Sequence, residues 1–202
     1  MHEGRSLGTA ASERADVETV LAAAGPGATL FGHSYGAIVA AAAAAAGADI
    51  SALVLYEPPL PVNGPTREKE MSSFAAAVAA GEHDRALTIM VSDIVKMSDA
   101  DVARMRETPL WAEMVGRTPT LERELRTVYG LAGDLDRFTA IRQRTLLLLG
   151  SESPQHQVDA TQFLAGGLPD ATVVELAGRQ HHANVTAPVA LADAVRSFLR
   201  RA

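Results

Sequence analysis

Short apolar segments alternate with longer segments of helical periodicity along the chain. Each apolar segment has strand length and is bounded by Gly, Pro or polar residues, which is typical of the buried strands of a parallel sheet. The predicted strands are Ala28–Gly32, Ala52–Tyr56, Arg144–Gly150 and Thr172–Ala177. Because strands that alternate with helices pack as layers, the pattern predicts an α/β fold with helices flanking a parallel sheet.

Three helices are predicted around these strands. Apolar residues recur at helical spacing over Glu13–Ala24, before the first strand, and over Pro188–Arg200, after the last one. An alanine-rich helix over Ala37–Ala46 follows the first strand directly. Its small side chains predict close packing of this helix against the sheet.

The segment 58–143 separates the second and third strands and contains no convincing strand. It is too long for a simple crossover, and helix-start signals occur at Thr66, Ser98 and Thr118. We therefore predict an α/β core formed by residues 1–57 and 144–202, with a helical cap inserted over residues 58–143.

Composition and charge narrow the class of protein. The chain of 202 residues has no Cys, which excludes disulfides, thiolate metal sites and a cysteine nucleophile. Its formal charge of −6 argues against a nucleic-acid-binding surface. No signal-peptide pattern and no apolar segment of membrane-spanning length is found. The sequence predicts a cytoplasmic protein that binds neither nucleic acid nor membrane.

The strongest chemical signal is Gly32-His33-Ser34-Tyr35-Gly36, at the junction of a predicted strand and a predicted helix. The pattern G-x-S-x-G in this context is typical of a nucleophilic serine on a strained turn. The turn exposes the Ser34 hydroxyl above the sheet edge. The following helix N-terminus and the backbone N–H of Tyr35 then stabilise a developing oxyanion.

A serine hydroxyl needs a base, and histidine is the usual one. Of the six histidines, only His181 and His182 follow the last predicted strand. His33 is adjacent to the serine, but its side chain is expected to point away from the site. The sequence therefore predicts His181 or His182 as the base.

Several segments together resemble the α/β-hydrolase fold family, in particular the small bacterial hydrolases with a helical cap. They are the motif Gly32–Gly36, the strand that ends in Leu55–Pro59, Leu146–Pro154, and Gly178-Arg-Gln-His181 followed by Thr186–Pro188. The resemblance implies a serine hydrolase that acts on a carboxylic ester, thioester or lactone through a Ser-His-acid triad. It also implies that His181 is the base, with His182 as the second choice.

The third member of the triad has two candidates. The family usually places its acid after the third predicted strand, as Gly-x-x-Asp, but this spacing from Gly150 falls on Ser153. The nearest carboxylate is Glu152, one residue earlier. Some relatives carry the acid after the preceding strand, where this chain has Glu57. We rank Glu152 above Glu57 at this point.

Substrate contacts and cofactors are less constrained by the sequence. Met90, Met97 and Trp111 are candidates for a lining that would favour an apolar small-molecule substrate, although each also fits simple packing within the cap. We expect no metal and no cofactor, because neither metal-ligand spacing nor a phosphate loop occurs. Two alternative functions stay open: a catalytically weak binding or assembly protein, and a lyase or cyclase of small-molecule biosynthesis.

The strands that precede the serine motif in this family have no counterpart here, since only 33 residues precede Ser34. The family's second oxyanion donor comes from that region. Without those strands, Ala28–Gly32 becomes an uncharged sheet edge with unpaired backbone groups. Such an edge favours association, so we expect a homo-oligomer, in the simplest case a two-fold dimer.

Overall fold

The structure is a computed structural model that describes residues 10–64 and 68–201. The chain divides into two compact units. One comprises Met1–Val62 and Gly133–Ala202, and the other comprises Asn63–Ala132. Residues 58–62 and 133–143, which the sequence assigned to the insert, therefore belong with the sheet.

Within the described residues, the sheet has four parallel strands in the spatial order β1-β2-β3-β4. Their bounds are β1 Thr29–His33, β2 Ala52–Tyr56, β3 Arg144–Gly150 and β4 Ala171–Leu176. The predicted fold class is thus confirmed, and two of the four strands have the predicted bounds. β2 is buried along its whole length and β3 along all but its first residue, as expected for apolar central strands covered on both faces.

Five α-helices of the described part of the chain belong to this sheet unit. They are α1 Ala10–Ala24, α2 Tyr35–Ala45, α8 Gln155–Gly167, α9 Ala183–Thr186 and α10 Pro188–Leu199, and a 3₁₀ segment spans Leu135–Ala140. Most of the buried residues of α2 are alanines, so the alanine-rich sequence does bring this helix close to the sheet.

Apolar packing between the sheet and α10 forms a core on one face of the sheet. Tyr56 of β2 and Leu148 of β3 pack there with Phe198 of α10, and all three are almost completely buried. Burial of such side chains contributes about 2 kcal/mol each. This core holds the carboxyl ends of the central strands in place.

In its described residues the second unit contains helices and no strand. It contains α3 Glu68–Ala79, α4 His83–Thr88, a π-helix Ile89–Ile94, α5 Asp99–Arg106, α6 Pro109–Gly116, α7 Thr118–Gly130 and a 3₁₀ turn that begins at Leu131. Two apolar clusters hold these helices together, one centred on Phe74 and the other on Trp111.

The predicted helix starts in this unit have different outcomes. Ser98 does cap α5, since its Oγ accepts the backbone N–H of Asp101 at 3.2 Å. Thr118 is instead the first residue of α7, and its hydroxyl binds the Val115 carbonyl and Nδ1 of His83. Thr66 lies outside the described residues.

In the described part of the chain, β1 lies at one side of the sheet. Among the described residues, β1 pairs only with β2, and the ring of Phe31 on β1 is 42% exposed. None of the described helices is both long and apolar enough to span a membrane.

Candidate active site

All four strands run in the same direction, so their carboxyl ends meet at one edge of the sheet. In α/β sheets this edge is where ligands bind. Ser34 follows β1, Glu57 follows β2, Ser153 lies three residues beyond the end of β3, and His181 lies in the turn between β4 and α9. The topology therefore places Ser34, Glu57, Ser153 and His181 at the same edge of the sheet.

Ser34 occupies the strained turn that the motif predicts. Its backbone has φ 54° and ψ −125°, a conformation that L-residues rarely adopt. Its N–H donates to the Tyr56 carbonyl at 2.9 Å, so the turn is tied to β2. A Cβ at Gly32 would lie 2.6 Å from Cα of Ala37, which makes glycine necessary where α2 crosses the strand.

Gly36, the last glycine of the motif, is not subject to the same constraint. A Cβ at Gly36 would have no described atom within 4 Å, and the residue is exposed. Of the two motif glycines, only Gly32 is therefore required by the packing of the described residues.

Glu57 is a completely buried carboxylate at the end of β2. It too has a positive φ, 46°, and its N–H donates to the Leu148 carbonyl of β3. The left-handed step turns the carboxylate back over the strand ends. There its Oε1 accepts the N–H of Gly150 at 2.8 Å and the hydroxyl of Ser153 at 2.5 Å.

The other oxygen, Oε2 of Glu57, lies 2.8 Å from Nδ1 of His181, which is itself only 4% exposed. Burial opposes ionisation of Glu57, but the hydrogen bonds from His181, Ser153 and Gly150 and the attraction of His181 outweigh it and lower the pKa of the carboxyl. The carboxylate therefore stays charged and fixes the proton of His181 on Nδ1. This leaves Nε2 of that ring as a proton acceptor.

The ranking of Glu152 above Glu57 is wrong, because the carboxylate that binds the imidazole of His181 is that of Glu57. The Glu152 side chain is exposed, while its backbone N–H donates to the Arg179 carbonyl at 2.9 Å. Since the chain turns immediately after Gly150, Ser153 and not Glu152 faces the interior. The serine at the family's usual acid position donates its hydroxyl to the carboxylate from the neighbouring strand.

The expectation that the His33 side chain points away from the site is also wrong. Its Nε2 lies 2.7 Å from the carbonyl oxygen of His181, and the two rings are 4.7 Å apart between centroids. The His33 ring also stacks on Tyr56, with centroids 4.8 Å apart. The residue before Ser34 thus contacts the candidate base directly.

Tyr35 and His182 are also predicted site residues, and each contacts a different part of the sheet unit. Tyr35 is the first residue of α2, and its hydroxyl donates to Glu13 of α1 at 2.6 Å; a role of its N–H in an oxyanion hole stays a prediction. The ring of His182 lies 5.1 Å from that of His181 between centroids. Since the buried carboxylate binds His181, this geometry favours His181 over His182 as the base.

Met90, Met97 and Trp111 lie in the helical unit and pack in its own apolar clusters. The indole N–H of Trp111 donates to Asp84 at 2.7 Å, and Arg106 lies over its ring. These contacts explain why the three side chains occur in this unit, and a substrate-lining role for them stays a prediction. Within residues 10–64 and 68–201, no cluster of three or more His, Asp or Glu side chains could hold a metal ion.

Comparison with known proteins identifies a family for this arrangement. Residues 2–194 match the model of the "Alpha/beta hydrolase family". None of the curated proteins compared with the chain matches it.

Solved structures give the same result. An alpha/beta hydrolase from Sphaerobacter thermophilus is 30% identical, with a TM-score of 0.83 over 96% of this chain and 76% of that one. A thermophilic esterase (17% identity, TM-score 0.76, 98% and 75% covered) and MenH from S. aureus (18% identity, TM-score 0.67, 100% and 80% covered) share the fold.

Proposed function

Because this chain belongs to the alpha/beta hydrolase family, we propose that it is a serine hydrolase of carboxylic esters, thioesters or lactones. Ser34 is the nucleophile, His181 the general base and Glu57 the acid that orients the base. Family membership by itself supports a hydrolase-type activity. The assignment of roles rests on the residues at the carboxyl edge of the sheet.

In the first step the Ser34 Oγ attacks the carbonyl carbon of the substrate, and its proton passes to Nε2 of His181. The carbonyl oxygen becomes an oxyanion. When the tetrahedral intermediate collapses, the bond to the leaving group breaks, and that alkoxide or thiolate takes the proton from Nε2. The product is an acyl ester on Ser34.

In the second step His181 takes a proton from water, which attacks the acyl carbon. Collapse of the second intermediate returns that proton to Ser34 and releases the carboxylic acid. In both steps the positive charge that develops on the imidazole lies against the Glu57 carboxylate. The attraction between this positive charge and the carboxylate is stronger in a buried site than in water.

The observation that carries the proposal is the buried pair of Glu57 and His181 beside the strained Ser34 turn. A buried carboxylate destabilises the folded state unless it is fully hydrogen-bonded, and Glu57 accepts three hydrogen bonds. A buried, hydrogen-bonded carboxylate beside an imidazole is expected where that imidazole acts as a base, and is unexpected where the histidine only packs. The backbone N–H of Tyr35, at the start of α2, is our candidate for one oxyanion donor.

Hydrolysis of p-nitrophenyl acetate and butyrate tests the proposal. Wild-type protein should release p-nitrophenol with saturation kinetics, and Ser34→Ala should reduce kcat/KM by about 10³-fold or more. Ser72→Ala, which removes an exposed hydroxyl on α3, is the matched control and should retain full activity. Equal rates for wild type and Ser34→Ala would refute the role of Ser34.

A further inference from the structure

The turn that carries His181 is bound by two side chains from neighbouring strands. Nε2 of His33 lies 2.7 Å from the His181 carbonyl oxygen. The Tyr56 hydroxyl donates to the Gln180 carbonyl and accepts the Ala183 N–H at 3.0 Å. Main-chain groups of the residue before the candidate base, of the base itself and of the second residue after it are therefore held by side chains of β1 and β2.

His33 and Tyr56 form a cross-strand pair. They are register partners at the ends of β1 and β2, their rings stack at 4.8 Å between centroids, and Tyr56 is completely buried. A partner fixed by stacking and burial has few other rotamers, so it can hold a loop in a defined position at small entropic cost.

The two strands end in the same way. β1 ends at His33 and is followed by Ser34, and β2 ends at Tyr56 and is followed by Glu57. Both Ser34 and Glu57 have a positive φ and carry a reactive side chain. Consequently the same two strand ends place the nucleophile, place the acid, and bind the turn that carries the base.

From this geometry we propose that His33 and Tyr56 are positioning residues that fix His181 between Ser34 and Glu57. The inference rests on the proposed function, because it assigns them to the general base of that reaction. A carbonyl oxygen can only accept, so His33 must carry its proton on Nε2. A neutral His33 also avoids placing a second cation beside His181 when that ring becomes protonated.

The His33 contact can be tested by two closely matched variants. In His33→Gln the side-chain amide can place an N–H near the former Nε2 position, whereas in His33→Asn the amide is too short to reach it. Both variants lose the imidazole ring. We expect His33→Asn to lower kcat on p-nitrophenyl acetate about tenfold to a hundredfold with KM nearly unchanged, and His33→Gln to restore most of it. Tyr56→Phe, which keeps the ring, should resemble His33→Asn.

Thermal unfolding curves for each variant separate loss of the folded state from misplacement of the base. Proteins that are fully folded at the assay temperature but lose kcat support positioning. Equal kcat for His33→Asn, His33→Gln and wild type, or equal losses in the Asn and Gln variants, would overturn the role of His33. Wild-type kcat in folded Tyr56→Phe would overturn the role of Tyr56.

A readout without turnover keeps this inference separate from the proposed function. Long-range ¹H–¹⁵N spectra report the tautomer of the His181 ring in each variant. We expect one tautomer, with the proton on Nδ1, in wild type and His33→Gln, and mixed or exchange-broadened signals in His33→Asn and Tyr56→Phe. Unchanged ring signals in all variants would overturn the positioning role, while an inactive wild type with these spectral changes would refute only the hydrolase activity.

Discussion

Replacing Glu57 by Gln should almost abolish activity, whereas the same change at Glu152 should not. In Glu57→Gln the side chain keeps one oxygen and gains an NH₂ group. Two donors, the N–H of Gly150 and the hydroxyl of Ser153, converge on the Oε1 position, so the amide oxygen is held there. The NH₂ group then faces Nδ1 of His181, 2.8 Å from the position of Oε2.

That arrangement selects the wrong tautomer of His181. An NH₂ group donates, so Nδ1 must accept and the ring proton moves to Nε2, where it blocks proton transfer from Ser34. A carboxylate-to-amide change of this kind in a triad lowers kcat by about 10⁴-fold, which corresponds to a barrier about 5 kcal/mol higher. The exposed Glu152 side chain binds no group of the triad, so Glu152→Gln should keep kcat within about twofold and stability within about 0.5 kcal/mol.

The assay is the initial rate of p-nitrophenyl acetate hydrolysis at pH 7.5 across a range of substrate concentrations. Urea unfolding of each variant establishes that it is folded. Folded Glu57→Gln that retains more than about a tenth of the wild-type kcat would refute a role of Glu57 as the acid. A loss of activity in Glu152→Gln as large as that in Glu57→Gln would also refute it, because the exposed carboxylate would then be the functional one.

Ser153→Ala removes a donor to Glu57 and should raise the pKa of that carboxyl, which a carboxyl ¹³C NMR titration of wild type and variant measures; an unchanged midpoint would contradict it. Burial lowers the pKa of His33 to about 4 from 6.5. Between those pH values the unfolded state binds more protons than the folded state, so the free energy of unfolding decreases as the pH is lowered. Urea unfolding should show about 2 kcal/mol less stability at pH 4.5 than at pH 7, and His33→Gln should lose most of this difference. Finally, β1 pairs only with β2 among the described residues and carries the exposed Phe31, so we expect the protein to associate. Light scattering should give a mass above the 21.2 kDa of one chain, and a monodisperse monomer would contradict it.

The fold and the strained turn at Ser34 could be predicted because they depend on local pattern. The apolar segments of β2 and β3 have the predicted bounds, and Gly32 and Ser34 lie at a strand-to-helix turn of the predicted kind. Periodicity and the motif contain this information without any knowledge of tertiary contacts.

The contact between Glu57 and His181 and the orientation of His33 depend on tertiary geometry instead. The carboxylate of Glu57 reaches His181 only because its backbone takes a left-handed step at the end of β2, and no local pattern indicates that step. One signal was available: the usual acid position holds Ser153, a hydroxyl that can only assist a carboxylate from elsewhere. For His33, strand alternation predicts the face of β1 from which the side chain projects. It does not predict that the turn after β4, which carries His181, lies within reach of that side chain.

Covalent labelling by a fluorophosphonate probe tests the central assignment most directly. The probe phosphonylates a serine only when a base removes its proton, and peptide mapping by mass spectrometry identifies that serine. We predict one adduct per chain, on Ser34, formed at least about a hundredfold more slowly in His181→Gln. No adduct on folded wild-type protein, or an adduct on another serine, would contradict the assignment of Ser34 and His181 as nucleophile and base.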